Sequence, residues 1–118
     1  MDTQALWSAV FSDETGPHSG GVILLQHGHL HGGDNNYHYQ GSYREEGGNI
    51  TLTFSATHFH GGRNHIAGNR DAFTLHVSGP LAERAMELCG ELEEDSAKKV
   101  TVRLQRVAEL PVPGPSTV

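Results

Sequence analysis

The sequence predicts an all-β domain, and three observations carry that reading. Apolar and polar residues alternate with period two over long stretches, which gives a strand one buried and one wet face. The polar positions within these runs are rich in Thr, which suits a pleated surface. Turn residues separate the runs at intervals of about ten residues, the spacing of a meander, sandwich or barrel. The 15 glycines among 118 residues fit such a turn-dense chain.

The elements follow in order. Residues 5–12 place Trp7, Ala9 and Phe11 on one face and Leu6, Ser8 and Val10 on the other. After Ser19-Gly20-Gly21 comes the aliphatic run Val22-Ile23-Leu24-Leu25, predicted as a strand over 20–26. His27-Gly28 turns the chain into a short strand, 29–31, and Gly32-Gly33-Asp34-Asn35-Asn36 turns it again into 37–44. Glu46-Gly47-Gly48-Asn49 leads to 49–60, where Ile50, Leu52, Phe54 and Ala56 alternate with Thr51, Thr53, Ser55 and Thr57. Phe73, Leu75 and Val77 mark 71–79, and Val100, Val102 and Leu104 mark 99–109. Leu81 to Glu94 fits two patterns. A helix would gather Ala85, Met86, Leu88, Cys89 and Leu92 on one side. A strand over 84–93 would turn Met86, Leu88, Gly90 and Leu92 inward and Glu87, Cys89, Glu91 and Glu93 outward, with fewer exceptions, and is preferred. The domain thus spans 1–110. Residues 111–118, with Pro111, Pro113 and Pro115, cannot continue a hydrogen-bonded ladder and are expected to form a tail.

Composition narrows the function classes. Leu, Ile, Val and Phe number 26, enough for one modest core. Eight basic against 14 acidic residues, a net charge of −6, give no clustered cationic surface for nucleic acid. A single cysteine, Cys89, excludes an internal disulfide framework and fits a reducing compartment. No apolar run approaches the roughly 20 residues of a membrane helix, and the Met1-Asp2-Thr3-Gln4 start lacks a basic, apolar leader. A cytoplasmic protein is expected. A barrel this small gains from dimerisation, so a homodimer through an outer strand face or edge is expected as well.

Nine histidines stand out. His27, His29 and His31 recur at every second position, although a turn at Gly28 would break the regularity. His58 and His60 fall on the inward face of 49–60 and are the nearest approach to a metal site. A resident metal is not expected, since three or four aimed ligands are needed and no Cys cluster or His-Glu-x-x-His element is present. Gly32-Gly33-Asp34 reads as a turn in which Asp34 accepts local backbone N–H groups. Tyr37, Tyr39 and Tyr43 read as packing residues on one strand face, with a place at a barrel mouth as the alternative. Cys89, between Glu87 and Glu91, is a poor nucleophile. Those carboxylates, with Glu93, Glu94 and Asp95, read as a solvated face. No nucleophile elbow, phosphate loop or spaced carboxylate pair suggests catalysis, and His58 with Ser55 or Asp71 is a chance pairing. The expectation is a non-enzyme without a cofactor.

Gly20-Gly21-Val22-Ile23-Leu24-Leu25, then His27-Gly28, Gly32-Gly33-Asp34 and Tyr39-Gln40-Gly41-Ser42-Tyr43 together resemble the GrlR family of negative regulators of type III secretion genes. The resemblance covers about residues 19–60 well. It implies an eight-stranded, mostly up-and-down lipocalin-like (calycin) barrel, a homodimer, and a regulatory role through protein–protein contact. The acidic partner-binding loop of the family's best-known member maps onto Arg44 to Asn49, with Glu45 and Glu46 as the carboxylates. An alternative use of such a barrel is to hold a small apolar ligand in a cavity lined by Trp7, Phe11, Phe54, Phe73 and Met86.

Overall fold

In the computed structural model, which describes residues 2–63 and 70–110, eight strands follow one another around a closed barrel. They are β1 (Ala5–Asp13), β2 (Gly16–Gln26), β3 (His29–Gly33), β4 (Tyr37–Glu46), β5 (Asn49–His58), β6 (Ala72–Pro80), β7 (Ala85–Leu92) and β8 (Lys99–Glu109). Each strand runs antiparallel to the next, and β8 returns to pair with β1, so no edge is left open. No helix occurs among the described residues. The architecture is an all-β, up-and-down closed barrel, one of the three forms that the alternation and turn spacing allow and consistent with the lipocalin-like barrel that the resemblance implies.

Register follows from which face is apolar, because a one-residue slip would turn every core residue to solvent. The eleven residues whose alternation most clearly marks an inward face are all buried: Trp7, Phe11, Leu52, Phe54, Phe73, Leu75, Met86, Leu88, Val100, Val102 and Leu104. The ambiguous segment is a strand. Met86, Leu88 and Leu92 point inward, while Glu87 and Cys89 are exposed.

Most strand ends fall within two residues of expectation. Strand β3 runs on to Gly33, so Gly32 and Gly33, expected in the turn, pair with both neighbouring strands. Two further ends differ for a physical reason. Strand β2 begins at Gly16, not Gly20, because a register shift between Phe11 and Ser12 lets the ladder continue past Pro17, which cannot donate. Strand β5 stops at His58, so His60 is not on it. The N–H groups of Phe59 and His60 leave the ladder and donate to the Asn36 carbonyl at 2.8 and 3.4 Å. The segment 111–118, expected to be a tail, lies outside the described residues.

Hairpins of two residues join β2 to β3 and β4 to β5. His27-Gly28 has φ of 52° and 80°, and Gly47-Gly48 has 60° and 81°. Positive φ at both central residues is the type I′ geometry that matches the strand twist. The second hairpin corrects the reading of Arg44 to Asn49 as a loop. Glu45 and Glu46 are the last residues of β4 and pair with Ile50 and Asn49, so only the two glycines form the turn.

The topology sorts the connections onto two rims. One rim carries the N-terminal segment, the β2–β3, β4–β5 and β6–β7 turns, and the end of β8; it is called the terminal rim below. The opposite rim carries the other four connections.

Candidate functional site

The interior is occupied by side chains. Trp7, Phe11, Phe54, Phe73 and Met86, the expected lining of a ligand cavity, are at most 4% exposed and belong to a single core cluster. The Phe11 ring stands edge-on to Tyr39 at 5.4 Å and lies 6.2 Å from Phe54. Phe73 meets Tyr37 at 5.5 Å. These spacings are those of close-packed aromatic pairs.

At the terminal rim the N-terminal segment is laced across the barrel. The Trp7 indole N–H donates to the Thr3 carbonyl at 3.0 Å, and the Thr3 hydroxyl donates to Glu45 Oε1 at 2.7 Å. The Gln4 side-chain oxygen accepts from the backbone of His27 at 2.9 Å. The Arg106 guanidinium lies 4.8 Å above the Trp7 ring and donates to the carbonyls of Asp2 and Glu83. Glu45 is therefore partly engaged in closing this rim. Glu46 is exposed.

At the opposite rim two carboxylates organise the turns. Asp34 Oδ1 accepts from the N–H groups of Asn36 and Tyr37, both at 2.7 Å, which is the local turn bonding the sequence suggests. Its Oδ2 accepts from the Tyr39 hydroxyl at 2.6 Å. A Cβ on Gly21 would sit 2.9 Å from that hydroxyl and 2.5 Å from the Gly33 carbonyl oxygen, so only glycine admits this pair. Burial, and then the Asp34 carboxylate, push the Tyr39 phenol above the ordinary tyrosine range.

The second carboxylate is Asp13, whose side chain is 2% exposed. Asp13 Oδ1 accepts from the Thr15 N–H and hydroxyl at 2.8 and 2.6 Å and meets His18 Nε2 at 2.7 Å; Oδ2 meets Lys98 Nζ at 2.9 Å. Its own partners cover it, near the rim. The Thr15 hydroxyl is foremost in holding its carboxyl well below the usual range, with Lys98, the Thr15 N–H and His18 adding to it against the cost of burial. The cluster ties the β1–β2 turn to the β7–β8 connection. Sequence reading missed it because its members are 85 positions apart, counting from Asp13 to Lys98, and no local pattern joins them.

The predicted pairing of His58 with His60 is not formed as a ligand set. His58 Nε2 bonds to the Gly61 carbonyl at 2.8 Å and its ring stands against Tyr37 at 5.4 Å. His60 is exposed beyond the strand, where its carbonyl accepts from Asn36 Nδ2. Among the described residues no group of three or more His, Cys, Asp or Glu side chains converges on a point where a metal could sit. Nor do His58, Ser55 and Asp71 assemble. Ser55 is exposed and engages the Thr74 hydroxyl, while Asp71 pairs with Arg63.

No family model matches this chain, and no curated protein matches it.

The outer face carries the remaining candidate. Val10, Val22 and Val107 are 40%, 44% and 57% exposed. Leu6 pairs directly with Leu24, and Ser8, between Leu6 and Val10, pairs with Val22, so the apolar residues of β1 and β2 form one stripe. Val107 adjoins it as the extra residue between the Trp7–Arg106 and Leu6–Ala108 pairs. Beside the stripe a shallow groove of about 480 Å³ crosses β1, β8 and β7, lined by Val10, Ala85, Met86 and Leu104 together with Glu87 and Arg103. Periodicity places Val10 on the face opposite Trp7, but the outward facing of Val22 and its place beside Val10 come only from the barrel register.

Proposed function

We propose that this barrel is a non-enzymatic, GrlR-like regulatory protein of the cytoplasm that acts through its outer surface. The observation that carries the reading is the contrast between a core occupied by Trp7, Phe11, Phe54, Phe73 and Met86 and an apolar stripe left on the outside. A binder of internal ligands needs space within, which a core filled by these side chains does not leave. An exposed apolar stripe beside a groove marks a surface that another protein covers.

The first occupant of that surface is a second copy of the chain. Exposed Glu87 and Arg103 form an ion pair at 3.3 Å beside Val10. In a two-fold arrangement the same patch faces itself, so Glu87 of each copy meets Arg103 of the other around a Val10–Val22 centre. The partner to be regulated, by the resemblance a transcriptional activator, then docks at the acidic end of β4, where Glu46 is free in solution and Glu45 is turned to Thr3.

Sedimentation of the wild type and of a Val10→Glu/Val22→Glu double variant tests the assembly. The wild type is expected to be dimeric at high micromolar concentration and the variant monomeric with its barrel intact. A monomeric wild type would overturn the dimer. A Glu46→Lys variant that still represses a type III secretion reporter as well as the wild type would remove the regulatory assignment of that carboxylate.

A further inference from the structure

We propose that His29 and His31 form a chelating site for a divalent transition-metal ion on the outer face of β3. The two residues stand at alternate positions of one strand, with Leu30 buried between them, so both side chains leave the barrel on the same side. Their ring centroids are 6.2 Å apart and the rings are inclined by 36°. Two imidazoles that share a tetrahedral metal at 2.0–2.1 Å have centroids about 5.2 Å apart, and about 6.4 Å apart when the metal lies on the line between them. The observed spacing falls between these limits. Both side chains are exposed, so their rings are free to turn toward one ion.

The chemistry around the pair favours a cation. Three other histidines have their rings hydrogen-bonded: His18 to Asp13 and Thr15, His58 to the Gly61 carbonyl, His76 to Thr53 and Glu93, whereas His38, the nearest on β4, has its ring against Phe59. The rings of His29 and His31 make no hydrogen bond with described residues beyond their own ring contact, so their lone pairs remain available. Across the strand pairs, His31 is flanked by Leu24 and Gln40, and His29 by Gln26 and Ser42. None of these four carries a positive charge that would repel an ion, and the chain as a whole is negative. Imidazole nitrogen suits nickel, copper and zinc, and water completes the coordination. This two-ligand arrangement is independent of the His58–His60 pairing and borders the apolar stripe at Leu24.

The site can be tested on tag-free, full-length protein titrated with nickel chloride, with two-dimensional NMR as the readout. Paramagnetic broadening is expected to centre on His29, Leu30 and His31 and to spread to Leu24 and Gln40 across the sheet. His29→Ala or His31→Ala should weaken binding by at least about tenfold, since losing a ligand costs no less than losing an outer-shell contact to a bound metal. His58→Gln/His60→Gln should leave it unchanged. Both alanine changes are at exposed positions, and the dispersion of the same spectra verifies folding. Acidification should release the ion, because only neutral imidazole ligates. Broadening centred on His58, His60 or His76, equal affinity in the alanine variants, or no broadening at millimolar nickel would each overturn the proposal.

Discussion

Tyr39→Phe removes one oxygen atom and tests how the opposite rim is held. The Tyr39 ring is buried against Phe11 at 5.4 Å and Phe54 at 5.9 Å, and phenylalanine preserves both contacts. What is lost is the 2.6 Å bond to Asp34 Oδ2. A hydrogen bond to a charged group is worth about 1.5–3 kcal/mol, and Asp34 keeps its two backbone donors on the other oxygen. The expected loss is therefore about 2 kcal/mol at neutral pH, read from urea unfolding midpoints at constant m-value. Alkaline pH supplies a second readout. The Tyr39 phenol is raised in the folded state, so the unfolded chain gives up its proton first. Its contribution is complete below the ordinary tyrosine pKa of about 10 and is lost as pH rises beyond it. The variant should then fall less steeply than the wild type above that pH. A cycle with Asp34→Asn isolates the pair: a coupling near zero, or a loss under about 0.5 kcal/mol for Tyr39→Phe alone, the range of ordinary surface changes, would refute this account of the rim.

Leu75 is 1% exposed and pairs with Phe54 on one side and Leu92 on the other. Leu75→Ala should cost about 2–5 kcal/mol in urea melts, because it opens a cavity at the centre of β6. Asp13→Asn should destabilise the protein at pH 7 and by less near pH 2, because the contribution starts to fade only below the unfolded carboxyl value and fades gradually toward the strongly depressed folded one. The Asp13 carboxyl is depressed in the folded state, so its contribution is present above the unfolded value of about 3.9 and is lost as pH falls below it. Urea midpoints of both forms at the two pH values measure this, and a gap that stays constant would contradict the Thr15–Lys98 clamp.

Strand order and facing were legible because they depend on local alternation. Every second residue of β5 is apolar from Ile50 to Ala56, and a closed barrel needs nothing more from that segment than the correct face inward. Segment 81–94 fitted both periods, and the strand pattern, with Met86, Leu88 and Leu92 inward and Glu87 and Cys89 outward, had the fewer exceptions. The strand ends were less legible. Whether β5 stops at His58 or His60 depends on the Asn36 carbonyl, which lies more than twenty residues away in sequence. The candidate surfaces were least legible. Val10 and Val22 become one patch only through the β1–β2 register, and Asp13 meets Lys98 only because β8 closes on β1.

The distribution of polar side chains also bears on how the barrel works. Asp34 with Tyr39, and Asp13 with Lys98, hold one rim by charge-assisted bonds; Thr3, Glu45 and Arg106 hold the other. To admit a ligand, either end would have to part such a group and leave a carboxylate with fewer partners, which is costly where water is excluded. The outer stripe carries no such cost. Covering Val10 and Val22 separates no bonded pair, and the Glu87–Arg103 pair is exposed enough to exchange partners across an interface. Closure at both ends thus agrees with the packing of the core in keeping the interior shut, which supports the proposed use of the outer wall.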